Sequence, residues 1–203
     1  CSLTVLYILA LCLGMKRGTL EGERLRTELR ELARLPDMLG TLLSDRDQYE
    51  TLAGKYASRS NFLYLGRGIN FPLAMEGALK LKEISYIHAE GYQAGEMKHG
   101  PISLIDEAMP VVALTPRDGL YEKMLNNINE AKARGGTVIA VATEGDQDVA
   151  DKADDVVYIP ATSPTLTPLL IAVPMQLLAY CIAVRRGCDV DQPRNLAKSV
   201  TVE

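Results

Sequence analysis

The chain has 203 residues, with 26 acidic and 22 basic side chains, a net charge of −4 at neutral pH, and four cysteines. That length suffices to bury a full core, and the acidic balance leaves no basic face for a nucleic acid, which excludes that partner class. Cys1, Cys12, Cys181 and Cys188 form no CxxC pair, so free thiols in a reducing cytoplasm are expected rather than a disulfide framework or a zinc site.

Residues 1–60 read as helical throughout. The run from Cys1 to Gly14 is apolar yet shorter than the roughly 20 residues a membrane span needs. No basic region precedes it and no cleavage site follows, so no signal peptide is expected. From Leu20 to Leu43, Leu25, Leu29, Leu32, Leu35, Leu39 and Leu42 recur at helical spacing among Glu and Arg, predicting an amphipathic helix interrupted at Pro36. Ser44 followed by Asp47 resembles a capping box that opens another helix through Tyr49, Leu52 and Tyr56.

Asn61 to Pro101 carries the densest chemistry, including both histidines, His88 and His99. Phe62 to Leu65 reads as a buried strand closed by Gly66-Arg67-Gly68. Pro72 suits a first helical turn, and good helix formers run on to about His88. Glu76, Lys80 and Glu83 share one face of that helix. Breaks at Gly91 and Gly95 then deliver Glu96, Lys98 and His99 into a loop fixed by Gly100-Pro101.

Beyond it, strands and helices alternate. Strands are expected at Met109 to Leu114, Thr137 to Thr143 and Asp155 to Pro160. Helices are expected at Leu120 to Ala133, Asp146 to Ala153 and Pro168 to Arg186. The last is long and uncharged, but Pro168, Pro174 and Gln176 interrupt it, favouring a buried helix over a membrane span. Continuous apolar strands between helices imply an α/β fold, a three-layer α/β/α sandwich around a parallel, doubly wound sheet. Ligands bind such sheets beyond the strand carboxyl ends, which groups Gly66-Arg67-Gly68, Thr115-Pro116 and the start of the central helix around one crevice. The tail from Asp189 is polar and irregular, though Leu196, Ala197 and Val200 interleave with Arg194, Asn195 and Lys198 and give it something to bury.

Several motifs fail. Phe71 stands where the third glycine of a dinucleotide loop belongs, and no phosphate-loop lysine motif occurs. Cys1 heads an apolar helix with no glycine-rich turn behind it, unlike an N-terminal nucleophile. His88, Glu90, Glu96 and His99 resemble a metal set, but Glu96-Met97-Lys98-His99 is a single ExxH where di-iron bundles need two copies, so no metal is expected. Two readings of Glu76, Lys80 and Glu83 stand. At the mouth of a crevice, Glu83 shuttles a proton next to a carbonyl while Lys80 steadies the enolate oxygen; otherwise the three are surface salt bridges. His99 is either a structural or a catalytic loop residue. Lys198 can form a Schiff base with a ketone if the tail folds back.

The stretches EGALKLKEISYIHAEGYQAGEMKHGP (76–101) and DQPRNLAKSVTVE (191–203) resemble the carboxyl-terminal sugar-isomerase half of the glutamine–fructose-6-phosphate aminotransferase family. The likeness runs along essentially the whole chain. It implies linking helices over 1–60, the second of two sugar isomerase (SIS) domains over 61–188, and a tail over 189–203 that folds into the active site. It further implies that Glu83 is the C1/C2 acid/base, Lys80 its assistant, and His99 the ring-opening histidine given to a neighbouring subunit. Lys198 matches the tail lysine of the isomerisation, and Ala197 a residue touching the sugar. The partners implied are a sugar phosphate (fructose 6-phosphate or glucosamine 6-phosphate), a second subunit and the absent glutaminase and first SIS domains, with no metal or organic cofactor. The residues also admit a non-catalytic SIS module that binds a sugar phosphate or dimerises, or a glutamine-independent isomerase. The tail and the Lys80–Glu83 pair favour the enzyme.

Overall fold

A computed structural model describes residues 2–194 of the chain. Three helices come first: α1 (Ser2–Lys16), α2 (Gly22–Ser44) and α3 (Arg46–Tyr56). The α/β body follows as β1 (Asn61–Gly66), α4 (Phe71–Ser85), β2 (His88–Gln93), β3 (Pro110–Thr115), α5 (Tyr121–Lys132), β4 (Thr137–Thr143), α6 (Gln147–Ala150), β5 (Asp155–Ile159) and α7 (Thr167–Arg185). All five strands are parallel, in the order β2-β1-β3-β4-β5. Leu63 lies opposite Val111, Val112 opposite Ile139, and Val141 opposite Val157.

Strand alternation divides the core in two. Phe62, Tyr64, Val112, Leu114, Ile139 and Val141 face α2, α3, α4 and α7. Leu63, Leu65, Val111, Ala113, Val138 and Ala140 face α5 and the segment between β2 and β3. Both faces of the sheet are therefore covered, which is why its inner strands β1, β3 and β4 are continuously apolar. Helix α7 is long and apolar enough to cross a membrane, but Leu170, Ile171, Met175, Leu178 and Ile182 are buried against the sheet and its neighbouring helices. Helix α1 is the opposite case. Leu11 is its one buried residue among those described, whereas Leu3, Val5, Leu6, Leu9 and Leu13 are exposed.

Several expectations need correction. Pro36 lies inside α2 without ending it. Ser44 is no cap for α3: its hydroxyl donates to the Thr41 carbonyl, and Asp45 occupies the cap position without a side-chain bond. Helix α4 ends at Ser85 rather than near His88, because Tyr86 turns left-handed (φ 60°). His88 to Gln93 is an edge strand, so Gly91 lies within an element instead of breaking one. Its polar, partly exposed sequence (HAEGYQ) hides the pattern. The helix expected from Asp146 to Ala153 is only the turn of α6, capped by Asp146, whose carboxylate accepts from Val149 N–H.

Candidate active site

Helix α4 starts at the carboxyl end of β1 and returns towards the amino edge of the sheet, where β2 begins. Its buried face, Leu73, Ala74, Gly77, Ala78 and Leu81, packs inward. Gln176 and Glu76 border one groove on its outer side, and Lys80 and Glu83 continue that outer row. Lys80 Nζ is 2.8 Å from Glu83 Oε2 and 3.6 Å from Glu76 Oε1. Their side chains are only 32% and 26% exposed for Lys80 and Glu83, so the pair is half-buried yet reachable. The hydrogen bond to Glu83 raises the Lys80 ammonium above its usual range, against the opposing effect of partial burial and with the charges of Glu76 and Glu83 adding to it. Lys80 is therefore a fixed positive charge and donor at neutral pH, not a base or an amine nucleophile. Glu83 beside it can take and return a proton while the cation steadies a developing oxyanion.

This pair is not at the mouth of the strand-end crevice. From Phe71 to Glu83 the helix advances about 18 Å, at about 1.5 Å per residue, away from the strand carboxyl ends. The crevice between β1 and β3, where the strand order diverges, is filled by the chain itself. A Cβ on Gly66 would sit 2.3 Å from the Asn70 carbonyl oxygen, so only glycine permits this turn. Asn70 Nδ2 donates to Asp118 Oδ2 at 3.0 Å, and Arg67 Nε to Asn127 Oδ1 at 2.9 Å. Leu120 closes over Gly68. Arg117 is likewise engaged, 3.0 Å from the buried carboxylate of Asp146, which also accepts from the Tyr121 hydroxyl at 2.7 Å. A cavity of about 690 Å³ lies elsewhere, between α1, α2, α4 and α7. Leucines, Pro36 and Val173 wall it, with Glu76 at its rim, and among the described residues no cationic side chain lines it to hold a phosphate.

His99 lies on the other side of the sheet from Glu83. It ends a 3₁₀ segment (Ala94–His99) anchored by buried Ala94 and Met97. The Lys98–Glu130 ion pair (2.6 Å) fastens that segment to α5, and the Arg67 guanidinium lies against Gly95. The imidazole itself points out, 76% exposed, with Glu96 3.9 Å away. Within one chain, then, His99 and Glu83 do not meet. His88 and Glu90 approach to 3.7 Å on the edge strand, and Tyr92 donates to Glu90 at 2.7 Å. Among the described residues, no three His, Cys, Asp or Glu side chains converge as metal ligands. Lys198 and Ala197 lie outside the described residues. Sequence reasoning singled out Glu76, Lys80 and Glu83 from their spacing, but it missed the contact of Tyr86 with Arg194 at the end of the same helix. Only the left-handed turn at Tyr86 brings them together, and a tyrosine gives no signal of one.

Comparison with known proteins places the chain in a family. The SIS domain model matches residues 55–186. The glutamine–fructose-6-phosphate aminotransferase (isomerizing) of Chlorobaculum tepidum is 55% identical over 199 residues, 98% of this chain but 32% of that protein. A counterpart in Thermus thermophilus is 56% identical over 201 residues, 99% of this chain and 33% of the relative. The chain thus spans about a third of the length of these curated relatives. Among solved structures, the C-terminal domain of glucosamine-fructose-6-phosphate aminotransferase from Francisella tularensis superposes with a TM-score of 0.85 at 35% identity, covering 91% of this chain and 52% of that one. Glucosamine-6-phosphate deaminase from Thermotoga maritima reaches 0.68 at 25% identity, covering 98% and 57%.

Proposed function

This chain belongs to the SIS-domain family, and from that premise we propose that it is the isomerase part of an enzyme making glucosamine 6-phosphate from fructose 6-phosphate and glutamine-derived ammonia. The observation that carries the reading is the Lys80–Glu83 pair at 2.8 Å, half-buried on an outward helix face at the far end from the domain's own filled crevice. In this reading Glu83 moves the proton between C1 and C2, and Lys80 holds the charge of the enolate-like intermediate. Lys198 acts as the amine of a transient Schiff base and Ala197 touches the sugar. His99, exposed and distant from its own Glu83, opens the ring in the site of a second subunit.

An outward-facing pair forms no pocket alone. The domain scheme (linking helices 1–60, second SIS domain 61–188, tail 189–203) has a preceding SIS domain supply the walls and the phosphate grip. The exposed apolar side chains of α1 support this, since leucines in such number are normally covered. Positioning of reactants contributes several kcal/mol to catalysis, roughly 7–11 in well-oriented systems. The 203 residues alone are therefore expected to show little or no synthase activity. The enzyme is read as cytoplasmic and dimeric.

The test is to assay glucosamine 6-phosphate formation by the intact natural polypeptide, given fructose 6-phosphate and glutamine, against Glu83→Gln. General acid–base catalysis supplies about 10²–10⁴-fold, so turnover should fall by at least about 100-fold with the fold retained. An unaffected Glu83→Gln enzyme overturns the assignment. Robust synthesis by the 203-residue chain alone overturns the need for a second domain.

A further inference from the structure

We propose that Tyr86 is a positioning residue: it clasps Arg194 and so fixes, at the end of the helix that carries Lys80 and Glu83, the backbone from which the chain runs on to Lys198. The inference rests on the reading of that pair given above. Tyr86 is the one non-glycine residue with positive φ among those described (φ 60°, ψ 19°). A bulky L-residue is disfavoured there, and glycine or asparagine is the usual occupant of such a helix-ending position. The backbone task is ordinary, since the Tyr86 N–H bonds the Lys82 carbonyl at 3.2 Å and ends α4. Glycine would do this without strain, so the side chain needs its own reason.

That reason is visible at its two ends. The Tyr86 hydroxyl accepts from the Arg194 backbone N–H at 2.8 Å, and the Arg194 guanidinium lies 4.1 Å above the ring centroid. A flat cation over an aromatic face is attracted by the ring quadrupole, and the hydroxyl fixes the backbone of the same residue. The chain leaving α7 is fastened to the same end of α4 twice more. Arg186 donates to the Ser85 carbonyl (3.1 Å) and to the Ala57 carbonyl at the end of α3 (2.7 Å), and Cys188 Sγ lies 3.8 Å from Ser85 O. Glu83 precedes Tyr86 by one helical turn. Lys198 follows Arg194 by four residues, a span of at most about 14 Å of extended chain. The clasp therefore holds the start of that short span at the end of α4, one helical turn past Glu83, and freeing Arg194 would let it begin from a wide set of positions.

The experiment uses the intact natural polypeptide, with Tyr86→Gly and Tyr86→Phe. Glycine keeps the left-handed helix end and removes the clasp; phenylalanine keeps the ring under the guanidinium and removes the acceptor. Three readouts apply: cleavage at Arg194–Asn195 by an arginine-specific protease, Tm, and kcat and KM for fructose 6-phosphate. Tyr86→Gly should be cleaved at least tenfold faster than wild type, with Tm unchanged or higher. Its kcat should drop tenfold or more while KM stays within threefold. Tyr86→Phe should remain within threefold of wild type in kcat. Equal cleavage of wild type and Tyr86→Gly overturns the clasp. Faster cleavage with unchanged kcat overturns its positioning role, as does a kcat loss that merely tracks a fall in Tm. If the wild-type polypeptide makes no amino sugar, the functional reading fails instead, and the cleavage rates still decide the clasp.

Discussion

Replacing Gly91 by alanine should unseat the helix that carries Lys80 and Glu83. Gly91 lies on edge strand β2 beneath α4, where an added Cβ would meet Met75 Cα and N at 2.6 Å and Ala74 C at 2.8 Å. Ordinary contact begins at 3.4 Å, so α4 and β2 must part by about 0.8 Å. The obstacles are backbone atoms of a helix, which cannot rotate away as a side chain would. Overpacking of this kind costs about 1–3 kcal/mol, and the rigid neighbours argue for the upper end. Alanine recovers about 0.5–1 kcal/mol of glycine's backbone entropy. The net loss is about 2 kcal/mol, which for a chain of this size lowers Tm by about 4–8 °C. Thermal unfolding by circular dichroism measures it. Gly40→Ala is the control of opposite sign: Gly40 sits inside α2 with nothing within 4 Å of a new Cβ, so stability should rise by roughly 0.5–1 kcal/mol. A misplacement near 1 Å also costs catalysis on the order of 100-fold. Turnover by Gly91→Ala should therefore fall well below wild type even at temperatures where the protein is fully folded. A Tm equal to or above that of wild type would refute the packing argument.

Mixed oligomers test the shared site. Subunits bearing Glu83→Gln, co-expressed with subunits bearing His99→Asn, should regain a substantial part of wild-type turnover although each variant alone is inactive; no recovery means both groups serve one chain. The Lys80 ammonium, raised by its hydrogen bond to Glu83, should titrate above the ordinary 10.5 when followed by carbon NMR at Cε. The stability that shift contributes is fully present below the unfolded value and is lost as pH rises through the folded one. Substituting Lys80 by methionine should thus leave the slope of stability against pH between 6 and 9 unchanged. Tyr121→Phe removes the 2.7 Å hydrogen bond to the buried Asp146 carboxylate. Bonds to charged groups are worth about 1.5–3 kcal/mol, so unfolding by denaturant should show a loss of that size at constant m-value.

The strands legible from sequence were those with an apolar run: the inner β1, β3 and β4, and the edge strand β5, whose Val156 to Ile159 is apolar. Thr137–Thr143 is continuously apolar because helices cover both sides of β4, and such runs need no context to be recognised. Strand β2 was not legible. At the edge of the sheet, half-exposed, it carries His88, Glu90 and Tyr92 on one face and a glycine on the other, so neither alternation nor an apolar run marks it. The same local logic misled at Pro36, whose ring α2 accommodates, and at Tyr86, where a left-handed turn ends a helix without glycine.

For the candidate site, helical periodicity alone put Glu76, Lys80 and Glu83 on one face, because three- and four-residue spacings are fixed by helix geometry whatever surrounds them. Where that face points is a different kind of fact. The sequence suggested the mouth of the strand-end crevice, but α4 runs back along the sheet and carries Glu83 to the opposite edge, while Asn70, Asp118 and Leu120 fill the crevice itself. The separation of His99 from Glu83 by the thickness of the sheet, and the meeting of Tyr86 with Arg194 across 108 positions of chain, follow from how layers stack. Local sequence sets which residues share an element, because that depends on neighbours a few bonds away. Long-range packing sets which elements share a site, because burial is a property of the whole fold and leaves no fixed spacing along the chain.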